Sequence, residues 1–136
     1  NHPQELTENV RAAIEKLRLA GVILLSQSVL LRGINDSANT LASLFKEFLG
    51  LGIVPYYLHH PDKATGTEHF RLTIEEGKEI YASLVGQVSG HLLPKYVLDI
   101  PGGFGKVPIN ADWLIKQKDG SYLVRDIHGK EHEYSD

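Results

Sequence analysis

The sequence predicts an α/β fold with a parallel sheet, because three amphipathic segments alternate with three apolar, β-branched ones along the chain. Each apolar run stops at polar residues, which is where parallel α/β folds build their sites. Beyond residue 108 the pattern changes to short alternating stretches broken by Asp119-Gly120 and His128-Gly129, the pattern of a small antiparallel meander.

The elements follow in order. Thr7 to Leu19 has helical spacing, with Val10, Ala13, Ile14 and Leu17 on one face, Thr7 as cap and Gly21 past the end. Val22 to Leu31 reads as a buried parallel strand interrupted by Ser26-Gln27-Ser28. Asn35-Asp36-Ser37 is a turn and cap signal. It opens a helix over about Ala38 to Leu49, with Leu41, Leu44, Phe45 and Phe48 facing inward and Gly50 and Gly52 at its end. Ile53 to His59 is a second strand, and His60 to Leu72 a polar loop. Thr73-Ile74-Glu75-Glu76 is a capping box for a helix reaching about Val88, with Ile80, Leu84 and Val88 on one face and Ser89-Gly90 closing it. Tyr96 to Ile100 is a third strand, Pro101 to Lys106 a glycine-rich loop, and Trp113 to Tyr134 the meander. Three strands cannot close a barrel alone.

Composition limits the function. A chain of 136 residues suits one domain. Its net charge of −3 gives no electrostatic footprint for nucleic acid. No apolar run approaches the roughly 20 residues of a membrane helix, and Asn1-His2-Pro3-Gln4 has no signal-peptide character. With no cysteine, the chain cannot itself form a disulfide, a thiolate zinc site or a cysteine-bound cluster. It has no methionine either, so we expect it to begin inside a longer protein.

Three strand ends carry the candidate chemistry: Ser26-Gln27-Ser28 with Arg32, His59-His60-Pro61-Asp62, and Asp99 with Pro101 to Lys106. Gly102-Gly103-Phe104-Gly105-Lys106 is not a Walker A loop, since Ile100 stands where its first glycine would be. It is not the dinucleotide fingerprint either, because no helical pattern follows. A lysine behind glycines can approach a cofactor closely and form a Schiff base with pyridoxal phosphate; the plainer reading is a solvated lysine in a turn. Asp62 and Asp99, if they converge, suit an ammonium group; separately, each reads as a cap or a loop residue. His59, His60, Asp62 and His69 invite a metal, but adjacent strand residues point to opposite faces and no zinc spacing is present. Gln27, on a buried strand, needs hydrogen-bond partners. Arg32 can bind an anion or pair with an acid such as Asp36.

Taken in series, Asn1-His2-Pro3, Gln27 through Asp36, Pro55-Tyr56-Tyr57, Glu68-His69-Phe70-Arg71, Ser89-Gly90 and Asp99 to Pro108 resemble the lysine 2,3-aminomutase family. That group combines radical S-adenosylmethionine chemistry with pyridoxal phosphate and moves the 2-amino group of L-lysine to carbon 3. The resemblance implies that residues 1–108 are the C-terminal part of a radical-SAM partial βα (TIM-like) barrel, with residues 109–136 a β-hairpin extension. It implies Lys106 as the covalent pyridoxal phosphate anchor, and Asp62 and Asp99 as the carboxylates holding the terminal ammonium of lysine or a lysine-like amino acid. Gln27 falls at a contact to S-adenosylmethionine, and His59 stands near the cofactor where some members have tyrosine. The family's [4Fe–4S] cluster sits on a CxxxCxxC motif that this chain lacks, so alone it is expected to be inactive. Ser37 stands where some members have a zinc-binding cysteine, and no metal site is expected here. Tyr57-Leu58-His59 is also similar to a branch that makes (R)-β-lysine for elongation factor P. A non-catalytic α/β binding module, or a metal-binding domain built on the histidines, is the reading outside this chemistry. The resemblance further implies a cytoplasmic homo-oligomer, without nucleic-acid or membrane partners. The strand edge near Val22 to Leu31 favours self-association or domain swapping of this stretch alone.

Overall fold

The computed structural model describes residues 1–109, 114–126 and 129–135; Trp113 and His128, which belong to the expected meander, lie outside the described residues. Three helices, α1 (Glu8–Leu19), α2 (Ala38–Gly50) and α3 (Ile74–Val85), alternate with three strands, β1 (Leu24–Val29), β2 (Ile53–His59) and β3 (Lys95–Asp99). β4 (Lys106–Pro108) follows, then β5 (Leu114–Lys116), β6 (Tyr122–Arg125) and β7 (Glu131–Tyr134).

The first sheet has the order β1-β2-β3-β4, with β1, β2 and β3 parallel and β4 antiparallel to β3. The second is the antiparallel meander β5-β6-β7. The described residues thus form a mixed α/β structure whose sheets stay open, and they close no barrel.

Local chemistry explains most of the boundaries. The Thr7, Ser37 and Thr73 side chains each accept a backbone N–H in the first turn of their helix. Glu76 completes a capping box by accepting the Thr73 N–H at 2.7 Å. The core is built as expected from Leu41, Leu44, Phe45 and Phe48 of α2, joined by Leu58, Leu84 and Tyr96. α3 ends at Val85, short of Val88, where Gly86 takes the C-cap position.

Four findings depart from the sequence reading. The apolar stripe of α1 stays largely outside the core: Val10 and Leu17 are exposed and no α1 residue is buried. α1 is held instead by Arg11, which donates to the Leu6 carbonyl and to Glu47 on α2 at 2.6 Å. The glycine-rich loop returns as a strand, and Ile109 is buried, with its N–H on the Tyr96 carbonyl at 2.8 Å. Arg32 does not pair with Asp36, which instead accepts the Gly33 N–H at 2.9 Å. Arg32 reaches across to Glu76, at 2.6 Å and 2.8 Å, and to the Arg71 carbonyl, clamping the loop before α3 onto the end of β1.

The fourth departure positions the site. Ser26 pairs with Pro55 and Gln27 with Tyr57, so Tyr56 is an extra residue in β2. One added residue reverses the inward–outward alternation after it. Ile53 is therefore buried, whereas six residues later His59 faces away from the core and Leu58 faces into it.

Gly77 of α3 packs directly on β3: a β-carbon there would sit 2.0 Å from the Tyr96 hydroxyl. That hydroxyl is fixed by His60 Nδ1 at 2.8 Å, and both residues are buried. Gly77→Ala is expected to destabilise by about 1–3 kcal/mol through overpacking, read as a lowered midpoint in urea without a change of slope. The Arg32 guanidinium, then the Thr73 N–H, lower the Glu76 carboxyl to about 2. A depressed carboxylate stabilises above its unfolded value of 4.5 and loses that contribution as pH falls toward about 2. Circular dichroism is expected to show weakening in that window, with a shallower acid dependence in Glu76→Gln.

Candidate functional site

The site forms where β1, β2 and β3 end. Asp99 is the last residue of β3. The chain then turns through Gly102, Gly103 and Gly105, with φ of +92°, +82° and +89°, a left-handed region where a β-carbon is costly. The turn is closed by the Ile100 N–H on the Gly105 carbonyl at 2.8 Å. As a result Lys106 pairs in register with Asp99 across β3 and β4.

A continuous polar line follows. Lys106 Nζ donates to Asp99 Oδ1 at 2.8 Å. Asp99 Oδ2 meets His59 Nδ1 at 2.7 Å, and His59 Nε2 meets Gln27 Oε1 at 3.1 Å. Lys106 Nζ also lies 5.4 Å from the centre of the Tyr57 ring, within cation–π range. The line thus takes one side chain each from β1, β3 and β4, and two from β2.

The charges reinforce one another. The Lys106 ammonium, then the His59 ring, hold the Asp99 carboxyl below the usual carboxylate range. Asp99, chiefly by its hydrogen bond, raises Lys106 above the ordinary lysine value, with smaller contributions from Tyr57 and Asp62. Both side chains remain about one-third exposed, 34% for Asp99 and 37% for Lys106, so a small molecule can reach them.

Two cavities open on this line. One, of about 400 Å³, runs along Gln27, Val29, His59 and Phe70; the other, of about 560 Å³, runs along Ile100, Gly103 and Gly105. Asp62 and Asp99 line both, and so stand on the wall between them. Asp62 has no hydrogen bond to a described residue, which leaves its carboxylate available to a ligand cation.

Gln27, His59, Asp62, Asp99 and Lys106 are thus neighbours in space. The other candidates are elsewhere. His60 turns to Tyr96 in the core, where burial lowers its pKa. His69 lies against Phe70 with the rings tilted, 3.9 Å between centroids. No group of three or more metal-ligand side chains occurs among the described residues. Tyr57 was missed by the sequence reading; its spacing two residues from His59 on a strand was the available signal.

The fold and this amine–carboxylate line define an α/β domain with a polar site at the carboxyl ends of parallel strands. Residues 81–136 match the family model described as Lysine-2,3-aminomutase. The chain is 39% identical over 136 residues to the L-lysine 2,3-aminomutase of Clostridium subterminale, covering all of this chain and 33% of that protein. It is 46% identical over 110 residues to the L-lysine 2,3-aminomutase of Escherichia coli K12, covering 81% of this chain and 32% of that one. It is 37% identical over 130 residues to the glutamate 2,3-aminomutase of Clostridioides difficile, covering 96% and 31%. The chain belongs to the lysine 2,3-aminomutase family of isomerases and corresponds to its C-terminal portion. It spans about a third of the length of these relatives.

Removing the charge of Asp99 removes the largest cause raising Lys106. Asp99→Asn is therefore expected to lower the lysine pKa and increase its neutral fraction near neutral pH. Lys106 should be labelled faster by an amine-directed reagent, as read by peptide mass mapping. Equal labelling rates in the two proteins would contradict the assignment of that ion pair.

Proposed function

We propose that this chain supplies the lysine anchor and the ammonium-recognising carboxylates of a 2,3-aminomutase acting on lysine or a lysine-like amino acid. The observation that carries the reading is the placement of Lys106 on Asp99, with Asp62 on the same cavity wall. Relatives named for both lysine and glutamate bear on the choice of substrate. A pair of carboxylates here favours the cationic amino acid, because a carboxylate side chain would be repelled by both.

Pyridoxal phosphate fits the residues present. The Lys106 amine is accessible, and a β-carbon added at Gly103 or Gly105 would meet nothing within 4 Å, so bare backbone faces open space. When bound, that group supplies a carbonyl that captures amines reversibly. Lys106 would hold it, the glycine turn would let a flat ring come close, and the Tyr57 face would steady the amine. S-adenosylmethionine is assigned to the cavity edge at Gln27. The [4Fe–4S] cluster does not fit this chain, which has no cysteine, and its ligands are assigned to another part of the whole protein.

This chain's own residues then have defined roles. Lys106 would leave Asp99 to hold that group, and Asp99 together with Asp62 would receive the far ammonium of the substrate. Two carboxylates on one cavity wall favour an amino acid with a cationic side chain over analogues lacking that charge. Non-cationic amino acids of similar length should therefore be poor substrates.

The test uses the whole protein with pyridoxal phosphate, reduced by borohydride and mapped by peptide mass. The label is expected on Lys106 and absent from Lys106→Ala. A label on a different lysine would refute the assignment.

A further inference from the structure

Asp62 and Asp99 reach the cavity wall by different means. Asp99 ends β3 and is fixed by the β3–β4 register and by Lys106. Asp62 has no hydrogen bond to a described residue. Its place is therefore set by the backbone of the loop that carries it, residues 60–72. That loop also forms part of the wall: Asp62 and Ala64 line both cavities, and Thr67 and Phe70 line the smaller one.

The loop is pinned at three points. At its start the His60 N–H donates to the Val97 carbonyl of β3 at 2.8 Å. At its end the Arg32 N–H donates to the Phe70 carbonyl at 2.8 Å, and the Arg32 guanidinium donates to the Arg71 carbonyl at 2.9 Å. The third point lies in the middle. The Ala64 carbonyl accepts the Thr67 hydroxyl at 2.7 Å, the Thr67 N–H at 3.4 Å and an N–H of Arg71 Nη2. The same Nη2 lies 3.4 Å from the Thr67 hydroxyl and 3.5 Å from a Glu68 carboxylate oxygen. Of the donors on Ala64, Arg71 is the one that carries a charge and the one that comes from outside the turn, so it is the strong link. Its side chain is 26% exposed, and its Nε is buried without a partner. That idle donor counts against the arrangement as a purely stabilising one.

We infer that Arg71 is a positioning residue for Asp62: by tying the Ala64 carbonyl to the fixed end of the loop, it sets where Asp62 stands relative to Asp99, and with it the preference for a cationic side chain. The inference rests on the proposed roles of Asp62 and Asp99 and adds the residue that holds the first in place for the second. The physical reason is pre-organisation. A carboxylate on a slack loop must be ordered when an ammonium binds, and that lost entropy is subtracted from the affinity. Tied at Ala64, two residues from Asp62, the loop is ordered when the protein folds. Arg71 itself lines neither cavity, so it acts through the loop. Lys106 stands on β4, so cofactor anchoring does not depend on Arg71.

The test uses the whole protein loaded with pyridoxal phosphate and titrated with L-lysine and with L-norleucine, which has no side-chain ammonium, followed by visible absorbance. Arg71→Ala is expected to weaken lysine binding by roughly tenfold, the scale of one hydrogen bond to a charged group, and to change norleucine binding by less than about twofold. The borohydride label on Lys106 should be unchanged. Arg71→Lys keeps a charged donor for Ala64 and should recover most of the lysine loss. A parallel loss for both amino acids, unchanged lysine affinity, or no recovery in Arg71→Lys would overturn the positioning role. Hydrogen exchange read by peptide mass is the second arm. Arg71→Ala should exchange faster across residues 64–71, with β2 and α3 as in the unsubstituted protein. Equal exchange across 64–71 would overturn the clamp, and so would faster exchange in all three segments, the sign of a general loss of stability. If the unsubstituted protein takes no label on Lys106, or binds lysine no better than norleucine, the proposed function fails, while the exchange arm still decides whether Arg71 holds the loop.

Discussion

The Asp99–Lys106 pair is the constraint on which the site depends. It is a cross-strand pair in register, so the backbone ladder of β3 and β4 fixes it before any side-chain choice is made. Only a turn that reverses the chain within six residues can produce that register. Glycines at the left-handed positions make the turn possible, because a β-carbon there would clash with the following carbonyl. The ion pair itself is partly solvated, so its importance lies in geometry and charge placement rather than in stabilising the fold.

The second constraint is the extra residue at Tyr56. Along an unbroken strand, Ile53 and His59 would share a register class with opposite consequences: either the core would receive a histidine or the site would lose it. The irregularity between Ser26 and Gln27 on the partner strand resolves this by shifting the pairing by one. Tyr57 and His59 then flank the lysine and aspartate, while Leu58 enters the core. The core on the other face is correspondingly tight. Tyr96 lies between Gly77 and His60, so β3, which ends at Asp99, is packed against α3 and tied to the residue that follows β2.

The clamp of Arg32 on Glu76 ties the loop after β1 to the first turn of α3. Because Glu76 also closes the capping box of α3, one carboxylate joins the helix start to the loop after β1. The arrangement keeps the apolar wall formed by Leu31 and Phe70 beside Asp62. The exposed stripe of α1 shows the opposite case: it is amphipathic in sequence, yet the described residues offer it little surface to pack against.

The sequence by itself determined the alternation of helix and strand, the caps at Thr7, Ser37 and Thr73, the apolar face of α2, and the three polar strand ends, because these depend on periodicity and on local hydrogen bonding. Asp62, Asp99 and Lys106 were legible as candidates for the same reason: each stands where an apolar run stops. The tertiary structure alone decided that the glycine loop becomes the turn of a β-hairpin, that Arg32 chooses Glu76 over Asp36, and that His60 turns into the core onto Tyr96. Those outcomes depend on pairing register between segments distant in sequence, and a shift of one residue, invisible in any local pattern, reverses which side chains meet.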